Sequence, residues 1–223
     1  MLEAKDLCLS HQGRLLLDSV NLSVGKGQVH LVLGENGAGK SLLLRCLMGL
    51  ILPSAGQVLG LDVRRQAYLQ QRPSLLRRSV LKNIEFALGV QSKPLMEAQK
   101  ALRDFALEPL QNQRADTLSV GQQQRLALAR ACALEPDILL LDEPSSALDP
   151  ASRAFIHAAL LRLKAGGKSL VLVTHDLSLA SGLGGTVHMF EEGRICEQTP
   201  AQKFFGAPTS EAGKKFLSRY RFT

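Results

Sequence analysis

Apolar residues follow three rhythms along this chain. From Leu2 to about Leu33 the spacing is strand-like, as in Leu7-Cys8-Leu9, Leu15-Leu16-Leu17 and Val20-Asn21-Leu22-Ser23-Val24, with breaks at Gly13 and Gly25-Lys26-Gly27. Short, closely spaced strands of this kind predict antiparallel hairpins. Leu42 to Leu50 has helical spacing, Pro53-Ser54-Ala55-Gly56 is a turn, and a short strand follows around Val58-Leu59. Tyr68-Leu69 leads into Gln70-Gln71-Arg72-Pro73, where Pro73 disfavours helix at Arg72. From Val80 to about Ala133 the pattern is mainly helical, with one stripe over Met96 to Leu107 and no convincing strand, which predicts an inserted helical lobe. The third rhythm is unbroken. Ile138 to Leu141 and Ser169 to Thr174 are continuous apolar runs of the kind buried on both faces of a parallel sheet. A helix over Ala151 to Lys164, stopped by Gly166-Gly167, separates them. A hairpin, Val187 to Phe190 and Arg194 to Glu197, turns at Glu192-Gly193. Phe204, Phe205, Phe216, Leu217 and Tyr220 predict packed helices in a tail whose end frays.

Composition narrows this little. A 45% hydrophobic content is ordinary for a globular chain of 223 residues. No apolar run nears the roughly 20 residues that span a bilayer, and the first residues lack a basic segment followed by an apolar one. The expectation is a cytosolic protein that reaches a membrane only through a partner. Cys8, Cys46, Cys132 and Cys196 are scattered without metal-ligand spacing and read as buried thiols. The net charge of +7 fits nucleic acid or an anionic surface, but its lysines and arginines are dispersed and aromatics are only 4%, so stacking platforms are scarce.

The chemistry concentrates at Gly34-Glu35-Asn36-Gly37-Ala38-Gly39-Lys40-Ser41, between the apolar run Val29 to Leu33 and the helix from Leu42. Gly, four residues, then Gly-Lys-Ser is the phosphate-cradling P-loop pattern. Glycines let the backbone close round a phosphate, successive N–H groups form an anion nest, and the helix presents its positive end. Lys40 can reach the β- and γ-phosphates of a nucleotide and the Ser41 hydroxyl can bind Mg²⁺. The bland alternative is a Gly-rich turn with an incidental lysine. Asp142 and Glu143 close the first buried run, where open α/β sheets place ligands. Asp142 suits a Mg²⁺ water shell and Glu143 an attacking water, unless the pair merely caps a helix. Ser119 and Gln122 fit a capping box, and His11 at the first turn reads equally well as a polar loop residue.

In order along the chain, these segments resemble the ATP-binding subunit of ABC transporters over nearly the whole sequence. Gly34 to Ser41 matches the P-loop, Leu118-Ser119-Val120-Gly121-Gln122-Gln123-Gln124-Arg125 the signature, Ile138 to Pro144 the Walker B strand, Ser146-Ala147-Leu148-Asp149 the D-loop, and Thr174-His175-Asp176 the switch histidine. The resemblance implies an α/β P-loop NTPase core with a mainly parallel sheet, an N-terminal antiparallel β subdomain and an inserted α-helical subdomain. The core with its β subdomain would span 1–71 and 136–223, and the signature-bearing helical part 72–135.

It also implies roles. Glu143, His175 and a Q-loop glutamine, with Gln71 preferred over Gln70, would be catalytic. Ser41, Gln71 and Asp142 would hold Mg²⁺. His11 matches the position of an aromatic stacked on adenine. Ser119, Val120, Gly121 and Gln122 would close the ATP site of a second subunit, beside the D-loop Asp149. Val120 replaces the usual first glycine of the signature, which puts its γ-phosphate contact in question, and His11 offers less stacking area than tyrosine. The implied activity is ATP hydrolysis driving small-solute import. The implied partners are a second cassette in a homodimer or pseudo-dimer, transmembrane permease subunits and, indirectly, a solute-binding protein. No direct nucleic-acid contact is expected, and the location is the cytoplasmic face of the inner membrane. The rival is a non-transport ABC ATPase acting on nucleic acid or the ribosome, which such families build from fused cassettes or a coiled-coil insert that this chain lacks.

Overall fold

The computed structural model describes residues 1–220, with the side chain of Tyr220 left out. The expected packing of Tyr220 and the expected fraying end lie outside the described residues. In chain order the first elements are β1 (Leu2–His11), β2 (Arg14–Val24), β3 (Val29–Gly34), α1 (Lys40–Leu47), β4 (Ala55–Leu59) and β5 (Gln66–Leu69). Then come α2 (Val80–Val90), α3 (Met96–Asp104), α4 (Val120–Ala133), β6 (Ile138–Asp142), α5 (Pro150–Ala165) and β7 (Ser169–Val173). The last are α6 (Leu177–Leu183), β8 (Thr186–Glu191), β9 (Arg194–Pro200), α7 (Ala201–Gly206) and α8 (Glu211–Tyr220).

Two sheets result. A three-stranded antiparallel sheet has the order β2-β1-β4, and a six-stranded sheet the order β5-β6-β7-β3-β8-β9. In the larger sheet every neighbouring pair is parallel except β8 with β9. Successive strand side chains point to opposite faces, so each continuous apolar run feeds two cores. Val32, Ile138, Leu140, Val171 and Val173 pack with α1 and the small sheet. Leu31, Leu33, Leu139, Leu141, Leu170 and Leu172 pack on the other side, in the cluster that includes α2 to α8.

The N-terminal strands differ from expectation. β1 and β2 are long, 10 and 11 residues, and β3 joins the parallel sheet instead of a hairpin. The pairing of β1 with β2 slips between Ala4 and Leu7, near the positive-φ residues Asp6 and Ser19. Asn21 bridges this bulge, accepting from the Asp6 backbone N–H at 2.9 Å and donating to its carboxylate at 3.0 Å. The bulge returns Ala4 and Leu7 to one buried face despite their odd spacing. Ala55 and Gly56, expected in a turn, belong to β4 because Ala55 pairs with Cys8 and Gln57 with Lys5. α3 stops at Asp104 rather than Leu107, where Ala106 turns to φ 51°.

Between β5 and β6 the described elements are α2, α3, α4 and two short 3-10 turns. Ser79 caps α2, accepting from the Lys82 N–H at 3.2 Å. The fully buried Asn83 holds the segment that leads in from β5, donating to Leu76 O at 3.1 Å and accepting from Leu76 N at 2.9 Å.

Candidate functional site

Three parallel strands that are neighbours in space deliver the site. β3 ends in the P-loop, β7 runs into His175 and β6 ends at Asp142, with Asp142 level with Val173 and Val173 level with Val32. The carboxyl edge of the sheet therefore gathers groups far apart in sequence. Gly34 takes φ 148°, and a Cβ there would lie 2.2 Å from the Phe190 carbonyl oxygen of β8. Only glycine lets the loop leave the sheet so close to its neighbour. Lys40 opens α1 from the buried side and donates to the carbonyls of Gly34 at 2.6 Å and Glu35 at 2.7 Å. Burial pulls the Lys40 pKa down, against the charges of Glu143, Asp142 and Glu35.

Next to it, the Ser41 hydroxyl donates to Asp142 Oδ1 at 3.0 Å, and the Tyr68 hydroxyl donates to Oδ2 at 3.2 Å. Tyr68 escaped the sequence reading as a site residue. Its only signal is a polar tip on an apolar strand, paired with Leu140 two residues before Asp142.

Glu143 holds φ 48°, an unusual state for a residue with a Cβ, and its N–H donates to Val173 O at 2.9 Å. The strand-end bend turns its half-buried carboxylate to His175. Oε1 lies 3.2 Å from His175 Nε2, and Oε2 accepts the His175 backbone N–H at 3.3 Å. Burial pushes the Glu143 pKa up to about 7. Burial, then the Lys40 charge, pulls that of His175 down to about 4. Asp176 caps α6 at Leu179 N and meets His157 Nε2 of α5 at 2.9 Å, which braces the loop after β7.

A cleft of about 930 Å³ joins Asn36, Gly37, Gly39, Lys40, Ser41, Gln71, Asp142, Glu143 and His175. Ser146 of the D-loop motif also lines it, as do Ser145, Arg153 and Ser178, which were missed in the sequence, where nothing separates them from loop and helix surface. Gln70 instead faces a groove between β5, α2 and α4. Glu35 and Ala38 line a second cavity of about 520 Å³ beside the P-loop, walled also by Arg14, Leu15 and Leu16 of β2 and by the end of β8. His11 lines neither, and sits exposed at the end of β1 opposite Arg14.

The signature residues are also absent from their own chain's cleft. Ser119 and Gln122 form the expected capping box, with bonds of 3.3 and 2.9 Å. Val120 is the first residue of α4, outside the positive-φ region and 62% exposed, so its branched side chain carries no backbone strain there. A Cβ on Gly121 would come 2.1 Å from Ser152 Oγ, so α4 touches the first turn of α5. Asp149 caps that turn, accepting from Ser152 N at 2.9 Å.

The family model for ABC transporters matches residues 17–146, more than half of the chain. The chain belongs to the ABC transporter family. A probable amino-acid ABC transporter ATP-binding protein of Haemophilus influenzae is 35% identical, covering 97% of this chain and 94% of that one. The molybdate/tungstate import ATP-binding protein WtpC of Thermococcus kodakarensis is 36% identical over 90% of this chain and 66% of that one. Among solved structures, the dimeric, post-hydrolysis ATP-binding cassette MJ0796 bound to ADP and Pi superposes with a TM-score of 0.82 at 28% identity, covering 90% of this chain and 99% of that one. This ABC cassette is a nucleotide-binding ATPase whose hydrolysis is coupled to transport. Its relatives support dimerisation and association with transmembrane subunits. Among the described residues no helix is long and apolar enough to cross a membrane.

Proposed function

We propose that this cassette hydrolyses ATP at the cleft between the P-loop and Glu143, and so powers import of a small solute through separate membrane subunits. The carboxylate that carries this reading is Glu143, held by His175 at the edge of a cleft shared with Lys40. The P-loop amides and Lys40 bind the β- and γ-phosphates, exchanging the Gly34 and Glu35 carbonyls for phosphate oxygens. Gln71 and Glu143 orient a water in line with the γ-phosphorus. As its oxygen attacks, its proton passes towards Glu143 and the bond from the γ-phosphorus to the bridging oxygen breaks, leaving ADP and phosphate. The His175 backbone N–H holds the Glu143 carboxylate, which leaves the single N–H of the neutral imidazole to donate to the γ-phosphate.

The corner formed by Ser41 Oγ and Asp142 Oδ1 fits Mg²⁺, with Gln71 in the same cleft. One hydroxyl and one carboxylate suit an ion that keeps water and phosphates as its other ligands. When bound, Mg²⁺ neutralises charge on the β- and γ-phosphates.

Ser119, Val120, Gly121 and Gln122 lie at a helix N-terminus and do not line their own cleft, so a second copy would present them to the γ-phosphate. Asp149 would join that interface from the start of α5. His11 lines neither cavity, and Arg14 to Leu16, which share a cavity with the P-loop, are the contacts for the nucleoside. The groove holding Gln70 and Arg130, with exposed Leu50 and Val63 in its wall, would receive the membrane subunit. The mixed amino-acid and oxyanion relatives leave the solute class at small and polar.

The test is steady-state hydrolysis by the purified protein, with and without Mg²⁺. Glu143→Gln should abolish turnover, keep ATP binding and accumulate an ATP-bound dimer. Unchanged turnover in that variant removes Glu143 from the mechanism. Co-purification with a multi-spanning membrane protein separates the transporter role from the nucleic-acid alternative.

A further inference from the structure

α8 is held at both ends by groups from distant parts of the chain. At its start, Glu197 of β9 accepts from Thr209 N at 3.0 Å and from Ser210 N and Oγ at 2.8 and 2.7 Å. Burial alone would raise the pKa of this 7%-exposed carboxylate, yet these three donors hold it below the ordinary range. Ser210 Oγ in turn accepts from Gly213 N at 3.0 Å, which starts the helix. Ala212, Phe216 and Leu217 are buried in the main core.

One face of the helix then meets the site. The Phe216 ring, 1% exposed, lies 5.9 Å from the His175 ring at 37°. One turn further on, Arg219 Nη1 is 2.7 Å from Glu35 Oε2 in the P-loop. Residues three apart share a helix face, so a single rigid surface touches both the loop after β7 and the loop after β3. The contact joins residues 184 positions apart.

We propose that α8 is a positioning strut for the active site, in which Phe216 holds the His175 imidazole against Glu143 and Arg219 ties the helix to the P-loop. Neither residue touches the reacting atoms. The inference rests on the proposed role of His175. An exposed ion pair contributes little stability by itself, so the value of Arg219 lies in where it fixes the helix end. Phe216 removes one wall of freedom from a ring that must meet both a carboxylate and a phosphate. Misplacement of such a group by about 1 Å can cost on the order of 100-fold in rate.

The experiment compares kcat and KM for MgATP in wild type, Phe216→Leu, Phe216→Tyr, Arg219→Gln and Arg219→Lys, with Leu217→Val as a packing control on the same helix. Phe216→Leu should lower kcat by roughly 10-fold and Arg219→Gln by about 3-fold, with KM within about twofold, because orientation and not binding is lost. Phe216→Tyr and Arg219→Lys should restore most of kcat, and Leu217→Val should lower the melting temperature while leaving kcat in place. The Arg219 pair is exposed, so its variant folds even where a Phe216 variant does not. A wild type without ATPase activity would sink the functional reading itself. Active wild type with both loss variants within twofold of its kcat, or with the loss falling on KM alone, overturns the strut.

Discussion

Glu143 Oε1 stands 3.2 Å from His175 Nε2, and burial drives the two groups apart in pKa, to about 7 and about 4. Between those values the favoured state is a protonated carboxyl beside a neutral imidazole. A proton acceptor must be the carboxylate, so activity rises as Glu143 loses its proton. The pH profile of kcat/KM, which reports the free enzyme, should show an acid limb with a midpoint near 7. An acid limb below pH 5 would mean that the acceptor carboxylate keeps its ordinary pKa and that burial does not raise it.

The same shift sets a stability window. The folded pKa of Glu143 lies above its ordinary value of 4.5, so the folded state binds the extra proton between about 4.5 and 7. Stability from this group is full below 4.5, falls as pH rises, and is lost by about pH 7. Glu143→Gln cannot ionise. Above pH 7 it should be more stable than wild type by up to about 3 kcal/mol, with the gap closing towards pH 4.5. Urea denaturation at pH 5 and 8 checks this. A constant gap would mean that charge at this site is not what costs stability.

Much of this site was legible because its parts are local. The P-loop pattern sits between one strand and one helix, and Asp142-Glu143 and His175 each end a continuous apolar run. What stayed hidden depends on contacts the sequence spaces widely. The Tyr68 bond to Asp142 follows from β5 pairing parallel with β6, and the Gly121 approach to Ser152 from α4 meeting α5. The pairing of β3 with β7 and β8 needs crossovers that periodicity does not specify, so β3 looked like one more hairpin strand. The bulge at Asp6 likewise turns irregular spacing into one buried face.

Gly121 offers a test of how α4 and α5 fit together. A methyl group there would sit 2.1 Å from Ser152 Oγ and 2.6 Å from its Cβ, both closer than contact allows. Gly121→Ala should destabilise the fold by about 1–3 kcal/mol, as overpacking does. Ser152→Gly removes both opposing atoms, so the double variant should recover most of that loss, although the cap at Asp149 stays formed through the backbone. A double variant no more stable than Gly121→Ala would place the strain elsewhere.

Beneath the P-loop, β3 and β8 carry a buried histidine pair. His30 Nδ1 is 2.9 Å from His188 Nε2, the rings stack at 5.2 Å, and Gln28 Oε1 lies 3.2 Å from His30 Nε2. Burial lowers both pKa values, that of His188 to about 3, where a charge on His30 adds to the effect. The unfolded chain then binds more protons than the folded one below about pH 6.5, so acid destabilises the sheet that carries the site. For His188 the loss between pH 7 and pH 5 is roughly 2 kcal/mol, from 1.5 pH units at about 1.36 kcal/mol each. His188→Gln can still hydrogen-bond His30 and cannot take up a proton. Urea denaturation at the two pH values should show the variant losing about 2 kcal/mol less than wild type. If both lose the same amount, the acid sensitivity of the fold lies with other groups and not with this pair.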